Sequence, residues 1–138
     1  MSCVHDIITI SGLAIRAQIA YKDAQRGYRH ISTDIAALHI LIDKVAQHFK
    51  NTTIGSEDRQ YGRKLLKSCQ TVLEDLNSFI GKYKRLAAIN RRLLFGTVKL
   101  GNKDITALRS QLISETVLLN GFVRRWVVLA LHSTLSIL

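Results

Sequence analysis

The chain contains no proline in 138 residues, and its apolar residues recur at spacings of three and four along four segments. Proline breaks helix interiors, and this spacing places apolar side chains on one face of an α-helix. No stretch shows the sustained alternation of apolar and polar residues that indicates a strand. The pattern therefore predicts an all-α fold, an antiparallel four-helix bundle, formed by one domain over residues 1–138.

The first predicted helix runs from about Val4 to Ala24 and stops near Gly27. The second runs from about Tyr28 to Phe49. Its apolar stripe is the clearest in the chain and predicts an amphipathic helix that packs on one side. The stripe consists of Ile31, Ile35, Leu38, Ile42, Val45 and Phe49.

The third predicted helix begins with Ser56 as its N-cap and ends between Lys82 and Ala88. Acidic residues follow Ser56 directly, where the helix dipole favours them. A short extra helix is predicted over Ile89–Phe95, before the fourth helix. The third stripe consists of Leu65, Cys69, Val72, Leu73, Leu76, Phe79, Ile80 and Tyr83.

The fourth predicted helix starts near Asn102 or Asp104 and continues toward the C-terminus. Its apolar residues recur with a heptad spacing, which predicts either a core seam or an oligomer seam. Glu115 also falls on this seam, where an acid is costly unless a base from another helix or exposure at a helix end relieves it. The seam consists of Ile105, Leu108, Leu112, Leu119, Phe122, Trp126 and Leu129.

The formal net charge is +10, which favours an anionic partner. Two cysteines, Cys3 and Cys69, are typical of free thiols in a reducing compartment. Residues 126–138 contain no Asp, Glu, Lys or Arg but are too short to span a bilayer, which takes about 20 residues. We therefore expect a cytoplasmic protein, peripheral at the inner face of the plasma membrane.

Residues 82–103 contain only bases among their charged side chains, interleaved with apolar residues. Three interpretations stay open: a solvated linker, a surface for anionic lipid, and a nucleic-acid patch, which is the least favoured because no reader motif is present. In the lipid interpretation Leu93, Leu94 and Phe95 dip into the interface. The bases are Lys82, Lys84, Arg85, Arg91, Arg92, Lys99 and Lys103.

Motifs for catalysis are not found in the sequence. Its glycine and lysine residues match neither a phosphate-binding loop nor a dinucleotide fingerprint. The five histidines lack metal-ligand spacing, and no nucleophile–base arrangement follows from the order of residues. We therefore expect no enzymatic activity, no cofactor, no metal and no small-molecule substrate.

Three stretches carry a family resemblance: "YKDAQRGYRHISTDIAALHILIDKV", "LLKSCQTVLEDLNSFIGKY" and "DITALRSQLISETVLLNGFV". Together with "HDIITISGLA" they cover most of residues 4–125. The sequence resembles the fungal N-terminal domain of STAND proteins, which are NLR-like receptors. The resemblance implies a HeLo-like helical bundle placed before a nucleotide-binding module, which residues 1–138 do not contain.

The resemblance also implies a signalling role in innate immunity, because related HeLo-type domains are cell-death effectors that act on membranes. These domains often act through the N-terminal helix, so Ile7, Ile8, Leu13 and Ile15 become candidates for membrane insertion. The predicted partner is anionic membrane lipid. The alternatives are a protein-interaction module, including a homo-oligomer, and a basic nucleic-acid-binding domain.

Overall fold

A computed structural model describes the backbone of residues 3–24, 28–51, 55–89 and 94–137. Four helices form it: α1 (Cys3–Lys22), α2 (Arg29–Asn51), α3 (Ser56–Ile89) and α4 (Leu94–Ile137). No strand occurs in these ranges. Side chains are described for residues 7–24, 28–50, 55–85 and 105–128. The predicted all-α fold and the helical bundle are confirmed.

The helices occupy the four corners of a square. α1 packs against α2 and α3, and α4 packs against the same two helices, so that α1 and α4 stand mainly on one diagonal. α2 and α3 therefore occupy the other diagonal. Consecutive helices run in opposite directions, but only α1–α2 and α3–α4 are neighbours both in the chain and in space.

Two parallel neighbour pairs complete the square, and side-chain contacts define them. Arg109 near the middle of α4 pairs with Asp34 near the start of α2, and Trp126 packs against Phe49 near the end of α2. Contacts thus advance in the same direction along both helices. Short connections favour packing between helices that are antiparallel neighbours in the chain. Such pairs form two of the four sides of the square.

The core lies between the helices and follows the predicted stripes closely. Tyr21 is fully buried, and its hydroxyl donates to the Leu76 carbonyl over 2.7 Å, which joins α1 to α3. The Ser32 hydroxyl donates to the Gln18 carbonyl over 2.9 Å and joins α2 to α1. The fully buried large side chains of the second and third stripes are Ile31, Ile35, Leu38, Ile42, Val45, Cys69, Leu73 and Leu76.

The largest difference from the predicted boundaries concerns α4, which starts at Leu94 rather than near Asn102. α4 runs through Gly96 and Gly101, since each glycine costs only about 1 kcal/mol relative to alanine and does not end a helix by itself. No separate helix is described over Ile89–Phe95: Ile89 ends α3, residues 90–93 lie outside the described ranges, and Leu94 begins α4.

The start of α3 also differs by one residue. The Arg59 amide donates to the Gly55 carbonyl over 3.0 Å, and this bond is the first of the helix. The N-cap position, whose carbonyl accepts the first helical bond, is thus Gly55 rather than Ser56. Glu57 and Asp58 occupy the first turn as expected, beside the positive end of the helix dipole.

The helices differ in length, and α4 is longer than the square it belongs to. It has 44 residues against 20 in α1 and 23 in α2. The Arg109–Asp34 pair sets the start of α2 at the level of about residue 104 of α4. The backbone of residues 94–103 therefore extends past the start of α2, and the backbone of residues 129–137 extends past its end.

Candidate interaction surfaces

The described residues contain little that could support catalysis. No group of three His, Cys, Asp or Glu side chains within the described ranges could hold a metal ion. Cys69 is a free, buried thiol, and burial raises its pKa to about 12, with a smaller contribution from Glu115. A thiol that stays protonated is a weak nucleophile. Glu74 and Asp75 are exposed on the outer side of α3.

Two histidines of α2 have described neighbours. His39 Nε2 lies 3.5 Å from a carboxylate oxygen of Asp43, one helical turn further along the same helix. The ring of His48 packs edge-on against Trp126 of α4, with 5.1 Å between centroids. Both histidines are half-buried at the flanks of the helix.

The basic stretch begins at the end of α3, and three of its seven bases have described side chains. Lys82, Lys84 and Arg85 are exposed, and none of them forms an ion pair with a described acid. The Arg85 Nε donates to the Gly81 carbonyl of its own helix over 3.3 Å. The remaining bases lie outside the described side chains: Arg91, Arg92, Lys99 and Lys103.

Two further bases lie at the same end of the bundle. Lys22 ends α1 and Arg29 begins α2, and both are exposed. Tyr28 lies between these helices and packs edge-on against Tyr83 of α3, with 5.4 Å between centroids, so this end includes the last described turns of α3. Among the described side chains beside Lys22 and Arg29, the exposed acid is Asp23. We call this group the basic end: Lys22, Arg29, Lys82, Lys84 and Arg85.

The outer face of α1 is apolar and uncovered. Ile8, Ile15 and Ile19 are 65%, 46% and 57% exposed, and a Cβ added at Gly12 would meet nothing within 4 Å. The spacing of these four positions, four, three and four residues, sets them on one stripe of the helix. We call this stripe the α1 outer face; it ends one turn from Lys22 at the basic end.

The predicted insertion residues divide between two sides of α1. Ile8 and Ile15 belong to the α1 outer face, whereas Ile7 is buried and Leu13 packs against the core. Adjacent residues of a helix point about 100° apart, which separates Ile7 from Ile8. Ile19, which the sequence reasoning did not select, is exposed with them. Ile19 lies eleven residues after Ile8, which is about three helical turns, and this spacing could have placed it on the same side of the helix.

The predicted seam of α4 lies inside the bundle. Ile105, Leu112, Leu119, Phe122 and Trp126 are buried, and Leu108 packs against the core. These described side chains therefore pack within the chain's own bundle, and Phe122 also lines the surface groove described below. The side chain of Leu129 lies outside the described residues.

Glu115 is the exception within this seam. One of its carboxylate oxygens, Oε2, is buried without a hydrogen-bond partner, and burial raises the pKa of the carboxyl. Neither relief that the sequence suggested is present, since no described base pairs with Glu115 and the residue lies in the middle of α4. Its described neighbour across the interface is the thiol of Cys69.

The outer side of α4 carries a second exposed apolar surface that sequence reasoning also missed. Ile113, Val117 and Val128 are 46%, 64% and 56% exposed. Between α4 and α3 this surface deepens into an open groove of about 350 Å³. The groove is lined by Tyr61, Val117, Leu118, Gly121, Phe122 and Arg125.

Within the described residues, none of the four helices contains a stretch apolar and long enough to cross a bilayer. Comparisons with known proteins add no relative: no family model, no curated protein and no solved structure matches this chain.

Proposed function

We propose that this chain is a non-enzymatic signalling module of the cell-death effector type found in fungal NLR-like proteins. In this proposal it associates peripherally with the anionic cytoplasmic leaflet through the α1 outer face and the basic end. The observation that carries the proposal is the exposure of Ile8, Ile15 and Ile19 on a helix that ends at a cluster of bases. The sequence resemblance to the HeLo-like family supports the same assignment.

Charge supplies the first contribution to membrane binding. A base near an anionic leaflet contributes about 1 kcal/mol, and the basic end has five exposed bases against the exposed Asp23. Screening at physiological salt confines this attraction to about 8 Å from the surface. The basic end can therefore hold the bundle at a leaflet, provided that the leaflet carries acidic lipid.

Apolar contact supplies the second contribution and orients the molecule. An isoleucine moved fully out of water gains about 1.5–3 kcal/mol, and the three side chains of the α1 outer face are about half exposed. Arg16 lies on the same side of α1, and its Nε donates to the Gly12 carbonyl over 3.4 Å. We expect α1 to lie along the interface, with its other side still packed in the bundle.

Co-sedimentation with vesicles tests the proposal. We expect recovery with vesicles containing phosphatidylserine and little recovery with pure phosphatidylcholine, and we expect added salt to release the protein. Reversing the charge at Lys82, Lys84 and Arg85 together removes three favourable contacts, and the expected loss of affinity exceeds tenfold. Equal recovery with both kinds of vesicle contradicts the proposal.

A matched pair of variants tests the apolar part. Ile15→Glu changes the α1 outer face, and Val117→Glu makes the same substitution on α4 at a comparably exposed position. We expect Ile15→Glu to weaken vesicle binding and Val117→Glu to leave it unchanged. Circular dichroism establishes that both variants are folded. Equal weakening by both variants would show that the α1 outer face has no specific role.

The second candidate function is a protein-interaction module without membrane activity. The exposed outer side of α4 favours it, because exposed apolar side chains that form a continuous surface are typical of interaction sites.

Nucleic-acid binding is the third function that the sequence suggested, and binding of the same protein to duplex DNA tests it. A strong, steeply salt-dependent affinity for DNA without vesicle binding would replace the first proposal.

A further inference from the structure

The sequence of α2 contains the same pair of residue types twice. Asp34 follows His30 by four residues, and Asp43 follows His39 by the same interval. Residues four apart on a helix lie on the same side, one turn above the other. A histidine and an acid at this spacing can hold one ion between them, as two histidines do in zinc-binding helices. The sequence alone does not distinguish the two pairs.

The structure distinguishes the pairs by what each aspartate contacts. Arg109 Nε of α4 donates to Asp34 Oδ2 over 2.9 Å, so the first carboxylate is already engaged by a guanidinium. No described Lys or Arg pairs with Asp43, whose side chain is 56% exposed. Of the two carboxylates, that of Asp43 is therefore the one that a cation from solution can reach.

The contacts around Asp43 are long for hydrogen bonds. His39 Nε2 lies 3.5 Å from Asp43 Oδ2, and the Ser11 hydroxyl of α1 lies 3.5 Å from Asp43 Oδ1. Good hydrogen bonds of these kinds are about 2.5–3.2 Å long. Two ligands that each lie about 2.1 Å from a tetrahedral zinc ion are about 3.4 Å apart. The Nε2–Oδ2 distance thus fits two ligands of one ion better than it fits a hydrogen bond.

We propose that His39 Nε2 and Asp43 Oδ2 together bind a divalent transition-metal ion of the zinc type. Imidazole favours ions of this type, whereas Mg²⁺ and Ca²⁺ prefer oxygen ligands alone. The described residues contain no group of three His, Cys, Asp or Glu side chains that could hold a metal, so water completes the coordination and the ion stays exchangeable. The expectation of no metal arose from the spacing of the histidines, and in this pair the second ligand is an aspartate.

Ser11 connects the proposed site to α1. Its hydroxyl donates to Asp43 Oδ1, which leaves Oδ2 on the side of His39. Groups that hold a ligating carboxylate orient it toward the metal. The His39 side chain is 20% exposed, so its ring is already held against the bundle. Because a bound ion requires this folded arrangement of α1 and α2, we expect metal binding to stabilise the folded chain.

Metal binding at this pair is independent of the proposed membrane function. Both ligands lie on α2, and neither belongs to the α1 outer face or to the basic end. Failure of vesicle binding and failure of metal binding are thus separate results.

Titration calorimetry with Zn²⁺ at neutral pH tests the pair. Every protein carries Cys3→Ser, which removes a thiol that could itself bind zinc, and Cys69 is buried. We expect saturable binding with a Kd below about 1 mM, and at least tenfold weaker binding for His39→Ala and for Asp43→Asn. Ser11→Ala should bind less tightly than the unchanged pair but more tightly than His39→Ala.

Two controls accompany the titration. His30→Ala removes the histidine of the other pair on α2, and we expect it to leave zinc binding unchanged. Mg²⁺ should give no binding heat. Absence of saturable zinc binding overturns the proposal, and so does binding that His39→Ala leaves intact.

A substitution that replaces the ligand separates metal binding from a structural role of Asp43. Asp43→His creates two histidines four residues apart, and we expect it to bind Zn²⁺ at least as tightly as the aspartate does. Thermal unfolding followed by circular dichroism shows whether each variant is folded. Zn²⁺ should raise the unfolding midpoint of the unchanged pair and of Asp43→His, but not that of His39→Ala. An equal rise in all three proteins would place the ion elsewhere and overturn the proposal.

Discussion

The outer faces of α1 and α3 show how differently two helices of one bundle can use their sequences. The outward side chains of α3, from Lys64 through Ser78, are polar or charged, so its sequence is explained by packing on one side and water on the other. α1 is apolar on both sides. Its inner side builds the core, and its outer side exposes three isoleucines.

This contrast identifies the part of the sequence that bundle formation does not explain. Bundle formation requires the buried side of α1, and it places no demand on Ile8, Ile15 and Ile19. A helix that is apolar all round is usually enclosed by protein or lipid. The exposed apolar side of α1 is therefore the best indication of an external partner, and α4 has a similar exposed apolar side.

The largest expected effect comes from introducing a carboxylate on the buried side of α1, and the same substitution on the exposed side is its control. Ile10 is 1% exposed and Ile8 is 65% exposed. Ile10→Asp buries an unpaired carboxylate, and we expect a loss of more than about 4 kcal/mol in the free energy of unfolding. For Ile8→Asp we expect a change within about 0.5 kcal/mol. Urea denaturation measures both, and similar losses would mean that the outer side is not free.

Two glycines provide a smaller and opposite pair of effects. A Cβ at Gly62 would lie 2.9 Å from ring atoms of both Phe49 and Phe122, whereas a Cβ at Gly12 would touch nothing within 4 Å. We expect Gly62→Ala to lose about 1–3 kcal/mol through overpacking. Gly12→Ala should gain up to about 1 kcal/mol from helix propensity. Thermal unfolding of both variants measures these values, and a destabilised Gly12→Ala would contradict an open α1 outer face.

The smallest expected effect concerns Glu115, the buried acid of α4. Because burial raises its pKa above the ordinary value of about 4.3, the folded chain binds more protons than the unfolded chain between the two pKa values. Stability therefore falls as pH rises through that window and stays reduced above it. We expect Glu115→Gln to remove this contribution and to stabilise the protein by up to about 1 kcal/mol at pH 7.

The control for this prediction is Asp75→Asn, at an exposed acid of α3. Denaturation curves between pH 4 and pH 8 should differ from the wild type for Glu115→Gln and coincide with it for Asp75→Asn. If Glu115→Gln destabilises the protein at pH 7, the carboxylate has a partner that compensates its burial.

The predictability of the helices varied with the clarity of their patterns. α2 starts and ends within two residues of its predicted bounds, since its apolar stripe and its polar face differ strongly. α4 begins eight to ten residues earlier than predicted, because Gly96 and Gly101 weaken a helix locally but a long helix can continue through them.

The candidate surfaces could be predicted only in part. The sequence pointed to the apolar N-terminal helix and to the bases at Lys82, Lys84 and Arg85, which are exposed. It could not separate Ile8 from Ile7, because apolar residues lie on two opposite sides of α1 and the periodicity then does not indicate which side is buried. It also missed the outer side of α4, where the exposed residues are interleaved with a strong buried seam.

By itself, the sequence determined that this chain forms four helices and which side chains of α2 and α3 face inward. These properties are local, since they follow from a repeat of 3.6 residues and from the cost of exposing apolar surface. Only the tertiary structure shows that α2 neighbours α4 rather than α3, that no described base pairs with Glu115, and that the described side chains leave apolar sides of α1 and α4 uncovered. These outcomes depend on which helices meet across the square, and residues distant in the chain make that choice together.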